Sequence, residues 1–150
     1  MSRENVDTVR AWIRACNRGD ADAAVALCDA SFVMTESSAL PGAAVTSGED
    51  GLRRYFAGWG RNWSEWDWQE EEILEMPPDK VLVMANLRLK GLRSGLWVER
   101  RWAYLFTVLS GKLLRQDGFE GKAQALEAAG HPADEPRPDP PERRAGSDVT

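Results

Sequence analysis

WAYLFTVLSGKLLRQDGFEGKAQALEAAG, residues 102–130, decides the fold. As far as Leu109 the stretch is rich in aromatic and β-branched residues, the composition of a strand. Ser110–Gly111 is a tight turn and Leu113–Glu120 returns, so the two runs read as a β-hairpin. Lys122–Ala129 then takes helical spacing and stops at Gly130. The outgoing strand is bulky on both sides: Trp102, Tyr104, Phe106 and Val108 on one, Ala103, Leu105 and Leu109 on the other. A strand apolar on both faces has to be covered on both. Helices supply one cover, and a second subunit, hence a homodimer, is the candidate for the other.

Working outward from the hairpin, Leu96–Leu109 extends that strand upstream, Gly91–Gly95 is a turn, and Val81–Lys90 is another long strand. Pro77–Pro78–Asp79–Lys80 turns the chain again. Before it, Trp66 and Trp68 alternate with Asp67 and Gln69 in a strand that continues to Leu74. Leu52, Tyr55, Phe56 and Trp59 recur at helical spacing after Ser47, with Gly58 and Gly60 closing that helix. The Gly, Pro and Ser content between Ser37 and Gly48 reads as loop. Phe32–Val33–Met34 is a short strand ending near Thr35–Glu36. Ala21–Cys28 is a small Ala-rich helix capped by Asp20. Val6, Val9, Ile13 and Cys16 form the apolar stripe of a first helix, which Ser2 caps and Gly19 ends. The sum is an α+β domain: a cone-like curved antiparallel sheet wrapped around three N-terminal helices, with a short C-terminal helix.

The domain occupies 1–130. Residues 131–150 hold five of the eight prolines and little that could pack, and read as a disordered tail. A net charge of -5 with no basic patch disfavours nucleic acid. No apolar run approaches membrane-spanning length and MSRENVDTVR lacks an apolar signal core, so a cytoplasmic location is expected. Cys16 and Cys28 have no metal-binding spacing, so no metal is expected. They read as small buried hydrophobes, with a disulfide as the alternative.

Three segments taken together resemble the SnoaL-like branch of the nuclear transport factor 2-like superfamily, which includes ketosteroid isomerases. They are ENVDTVRAWIRACNRGDADAAVALCDASFVM (4–34) with its N-R-G-D junction, SGEDGLRRYFAGW (47–59), and the hairpin segment 102–130. The resemblance covers roughly residues 2–130. It implies a cone with one deep pocket, often dimeric through the outer sheet face, and needing no cofactor. Isomerases, cyclases, hydrolases and pure binding or assembly modules all share this fold, so the activity stays open.

The resemblance also implies candidate site residues. The isomerase base falls on Glu36, where an apolar pocket mouth would desolvate the carboxylate and make it a useful base. A solvated loop carboxylate is the plain alternative. The helix-one Tyr donor falls on Trp12 and the second acidic donor on Ala103, so ketosteroid isomerase activity itself is not expected. The cyclase pattern of Asp and His is unmet, since the only His is His131 in the tail. On the last strand, alternation turns Gln116, Gly118 and Glu120 inward and Asp117 outward, with Asp117 kept in case of a one-residue slip. For the hydrolase pattern of Asp–Arg–Asp, Glu99 and Arg101 share a face and could meet Glu120; a rim ion pair is the alternative. Trp12, Phe56, Trp59, Ala103, Leu105, Gln116 and Gly118 are the candidate substrate-binding wall. Trp63, Trp66, Trp68 and Trp97 read as core or interface, and Glu70–Glu71–Glu72 as a solvated strand edge.

Two functions follow. One is an enzyme doing cofactor-free acid–base chemistry on an apolar, cyclic ligand, in the manner of secondary metabolism. The other is a non-catalytic ligand-binding or dimeric assembly module.

Overall fold

The computed structural model describes residues 2–36 and 45–130. The expected tail, His131 and most of the 37–48 loop lie outside those residues. Helix α1 (Ser2–Arg18) and the short α2 (Ala21–Ala26) lead into strand β1 (Cys28–Thr35). A three-residue strand β2 (Val45–Ser47) precedes helix α3 (Gly48–Asn62). Four strands follow: β3 (Trp63–Met76), β4 (Lys80–Gly91), β5 (Trp97–Leu109) and β6 (Lys112–Phe119). Helix α4 (Lys122–Ala128) closes the fold.

All six strands form one curved sheet in the order β2-β1-β6-β5-β4-β3, which does not close into a barrel. The α+β class and the wrapped helices agree with the sequence. The sheet, however, is mixed: β1 runs parallel to β6, while every other pairing is antiparallel. Turns between consecutive strands dictate antiparallel pairing. The β1–β6 contact instead joins strands separated by α3 and four other strands, and nothing local fixes its direction. Three smaller departures have simple causes. β2 is too short to show alternation. α2 ends at Ala26, so Cys28 opens β1. α3 runs through Gly58 and Gly60 to Asn62, because glycine weakens a helix without ending it.

Alternation on the strands builds two cores. On the concave face Val81, Val83 and Ala85 of β4 and Phe106 and Val108 of β5 pack against Val9, Trp12 and Ala15 of α1. On the convex face Met76, Leu82, Ala103 and Leu105 pack against Ala125 of α4. Each fully buried Val, Leu or Phe contributes about 1.5–3 kcal/mol, so the helices on both faces are what hold the curl.

The N-R-G-D junction locks α1 to β3. Gly19 adopts a left-handed φ of 64°, and Asp20 accepts a capping bond from the Ala23 N–H at 3.0 Å. Asn17 grips β3 with both ends of its amide. Its Oδ1 accepts from the Trp68 N–H at 2.7 Å, and its Nδ2 donates to the Trp68 carbonyl at 3.1 Å. The Trp66 indole N–H donates to the Cys16 carbonyl at 2.8 Å. These bonds fix the angle at which two tryptophans enter the cone.

Candidate active site

The cone holds an apolar hollow made of two adjoining parts. The outer part has a volume of about 320 Å³ and lies between α3 and the concave faces of β4, β5 and β6. Leu87, Leu89, Trp59, Trp63 and Trp102 form its walls. The inner part has a volume of only about 20 Å³ and is lined by Trp12, Phe56, Trp66 and Trp68. Met34, Tyr55, Trp59 and Gln116 line both parts, so the two adjoin. The walls interlock edge to face: Tyr55 meets Phe56 and Trp59, and Trp59 meets Trp66, with ring centroids 5.7–6.1 Å apart. Gly118 stands opposite Tyr104 in the β5–β6 register. A residue without a side chain there leaves width for the phenol.

Several expected residues do meet in this hollow. Glu36 follows the last residue of β1 and lines the outer part, but it is exposed at the rim. The desolvation expected of it is therefore not met at this position. Trp12, Phe56 and Trp59 form wall, and Gln116 and Gly118 face inward.

Others do not. Ala103 and Leu105 lie on the convex face beneath α4. They pair across the sheet with Phe119 and Asp117, whereas Tyr104 and Phe106 pair with Gly118 and Gln116 on the concave side. Arg101 shares the convex face, is 70% exposed, and bonds Glu71 at 3.0 Å. Glu99 pairs instead with Arg88 at 3.2 Å. Glu120 falls past the end of β6 and is exposed. The Glu99–Arg101–Glu120 cluster is thus not formed, because β6 ends before it can reach Arg101. Asp117 points away from the hollow, as alternation predicts, and is engaged by Arg115 at 2.9 Å and the Thr35 hydroxyl at 2.7 Å. Glu70, Glu71 and Glu72 sit on the edge strand β3, and each takes a cation: Arg10, Arg101 and Lys122 respectively.

The residues missed were Arg100, Tyr55 and Tyr104. Arg100 lies one position from the residue singled out, and it lines the outer hollow. The alternation that groups Trp102 with Tyr104 already assigns Arg100 to their face. The two phenols are the chain's only tyrosines. Burial pushes both well above the ordinary tyrosine value. The nearby Cys16 thiol adds to the effect on Tyr55, and Tyr55 and Cys16 add to it on Tyr104. Both are therefore neutral hydroxyls at ordinary pH, able to donate and accept but not to carry charge. Cys16 and Cys28 are free thiols. Burial drives Cys16 upward and raises Cys28 to about 12, so neither is an activated nucleophile.

Two buried polar atoms have no hydrogen-bond partner, the Trp12 indole Nε1 and the Gln116 amide Oε1, and both residues line the inner part. Their residues are 1% and 3% exposed. Among the described residues no cluster of His, Cys, Asp or Glu could hold a metal ion, and no helix is long and apolar enough to cross a membrane.

The family model described as "SnoaL-like domain" matches residues 9–116. The chain belongs to the SnoaL-like family. Solved structures repeat the fold. An NTF2-like protein of unknown function from Burkholderia pseudomallei shares 16% identity, with 85% of this chain and 97% of that one covered and a TM-score of 0.71. The epoxide hydrolase/cyclase-like enzyme SalBIII, named for pyran ring formation in polyether salinomycin, shares 20% identity, covering 79% and 92% at a TM-score of 0.69. A putative polyketide cyclase from Xanthomonas campestris shares 15%, covering 85% and 96% at 0.67. At such identities these structures speak for the SnoaL-like fold alone. Among curated proteins none matches the chain.

Proposed function

We propose that this SnoaL-like chain binds an apolar, cyclic small molecule in the cone and moves a proton on it without cofactor or metal, Glu36 being the proton acceptor. The observation that carries this reading is that one apolar hollow of about 320 Å³ gathers Glu36, Tyr55, Tyr104 and Gln116. That volume suits a small ligand. A ring lodged there covers the rim and strips water from Glu36, which makes the carboxylate a stronger base. The phenols of Tyr55 and Tyr104 are neutral donors for an oxygen that gains charge as the proton leaves. Arg100 adds positive charge at the same rim. Isomerisation and ring closure both use this minimum, and the likeness to a cyclase-like enzyme and to a putative polyketide cyclase supports that class. A cytoplasmic, homodimeric protein of secondary metabolism fits the same reading. Exposed Leu96, Trp97 and Val98 on β5 and the turn before it support a second subunit there.

The test is a screen of cyclic ketones, phenols and epoxides by quenching of the pocket tryptophans, with products read by mass spectrometry. On a turned-over compound, Glu36→Gln should lower kcat by about 100-fold or more while leaving affinity within about threefold. Undiminished turnover by Glu36→Gln refutes the assignment. One observation favours a second reading, that of a binding module. The inner end carries only groups that are neutral at ordinary pH, and the position of the second acidic donor, Ala103, is buried beneath α4. Tight binding without product from any ligand of the screen would favour it.

A further inference from the structure

The inner end of the hollow has a chemical specification of its own. It offers one buried donor, Trp12 Nε1–H, and one buried acceptor, Gln116 Oε1, and neither has a partner. Leaving two such atoms desolvated and unmatched is costly, and native structures rarely carry them without cause. Each belongs to a different element, Trp12 to α1 and Gln116 to β6, and both residues are more than nine-tenths buried. Both residues line the pocket of about 20 Å³, room for roughly one oxygen-sized atom. A single atom that satisfies both must accept from the indole and donate to the amide oxygen. A hydroxyl does so. An ether or a carbonyl oxygen can only accept, and a hydrocarbon does neither.

We infer that the inner end is a hydroxyl-recognition subsite, so the ligand of this cone is a neutral ring compound that carries its hydroxyl group deepest. The ring body occupies the outer hollow against Leu87, Leu89 and Trp102. The hydroxyl oxygen accepts from Trp12 and its proton goes to Gln116. Glu36 lines the outer part and is not among the residues of this subsite. This inference rests on the pocket reading above but not on catalysis by Glu36.

Calorimetry with tetralin, 1-tetralol and 1-tetralone separates the alternatives on one carbon skeleton. 1-Tetralol should bind at least about tenfold tighter than tetralin or 1-tetralone, the size of one buried hydrogen bond completed or lost. Gln116→Met removes the acceptor at similar volume and should cut that preference below about threefold without weakening tetralin. Trp12→Phe should cut it similarly. A ketone bound as tightly as the alcohol overturns the subsite, because Gln116 would then present its amide N–H groups. A preference that survives Gln116→Met overturns it as well. Failure of all three compounds to bind removes the pocket reading along with the subsite. A hydroxyl preference in a protein whose turnover ignores Glu36→Gln removes only the catalytic assignment.

Discussion

Replacing Gln116 by Met should stabilise the ligand-free protein, and the size of the effect follows from the site. Gln116 is 3% exposed and faces Phe106 across the β5–β6 pair. Its Oε1 is buried with no partner. An unmade buried hydrogen bond costs about 1–3 kcal/mol. Met fills nearly the same volume, so little cavity opens, and imperfect repacking takes back less than about 1.5 kcal/mol. The net gain is about 1 kcal/mol, or a Tm about 3 °C higher for a domain of this size. Urea unfolding followed by circular dichroism measures it, with an unchanged m-value showing that the same surface is exposed in both proteins. A Gln116→Met protein less stable than the parent by about 1 kcal/mol or more would show that Oε1 is satisfied in the empty cone. The expected outcome pairs a gain in stability with a loss of hydroxyl preference, the pattern of a residue kept for what it binds.

Asn17→Ala removes both side-chain bonds to the Trp68 backbone and should cost about 1–3 kcal/mol, read by the same melts; an unchanged midpoint would deny the junction its clamping role. Gly19→Ala puts a Cβ into a left-handed φ and 3.3 Å from the Trp66 ring, so it should lose about 1–2 kcal/mol from the backbone alone. Tyr55, Tyr104, Cys16 and Cys28 all have raised values in the folded state, so the unfolded chain loses these protons first. Their contribution to stability is therefore full below about pH 9, where unfolded thiols begin to ionise, and is lost as pH rises through the value of about 12 for Cys28. In an alkaline titration the phenolate band should appear together with loss of the helical signal. Phenolate forming in the intact fold would contradict the burial of both tyrosines. At mildly alkaline pH neither thiol should react with a disulfide reagent until denaturant is added.

Alternation made most of this fold legible. The β5–β6 hairpin, the two-sided burial of β5 and the inward turn of Gln116 and Gly118 all follow from a period of two and a turn at Ser110–Gly111. The same period held the answer about arginine. Arg100, Trp102 and Tyr104 are spaced by two and share the concave face, whereas Arg101 follows Ala103 and Leu105 to the convex one. Choosing Arg101 favoured a familiar charge pattern over the spacing. Ala103 enters through the resemblance, as the position of the second acidic donor, yet the same spacing puts it with Leu105 on the face away from Tyr104. Other features left no local trace. The parallel β1–β6 pairing joins distant strands, and β2 is shorter than one period of evidence. Whether the hollow is open or filled depends on how Trp12, Trp59, Trp66 and Trp68 interlock in three dimensions, which spacing along the chain does not encode.

The division of the sheet into two faces also explains why the candidate site is neutral inside and charged outside. Arg88, Glu99, Arg101 and Glu71 lie on the convex side, where long side chains reach water and pair at 3.0–3.2 Å with little desolvation. On the concave side an ion would have to give up its hydration to enter an aromatic hollow, a cost of several kcal/mol for each ion. The interior therefore keeps phenols, an indole and an amide, groups that recognise by hydrogen bonding and remain uncharged. The two charged residues that line the hollow, Glu36 and Arg100, are exposed ones at its rim. Any proton transfer in this cone has to start at the rim, on the end of the ligand nearest the water. On the proposed function, the buried end selects which molecule enters, and the rim determines what can happen to it.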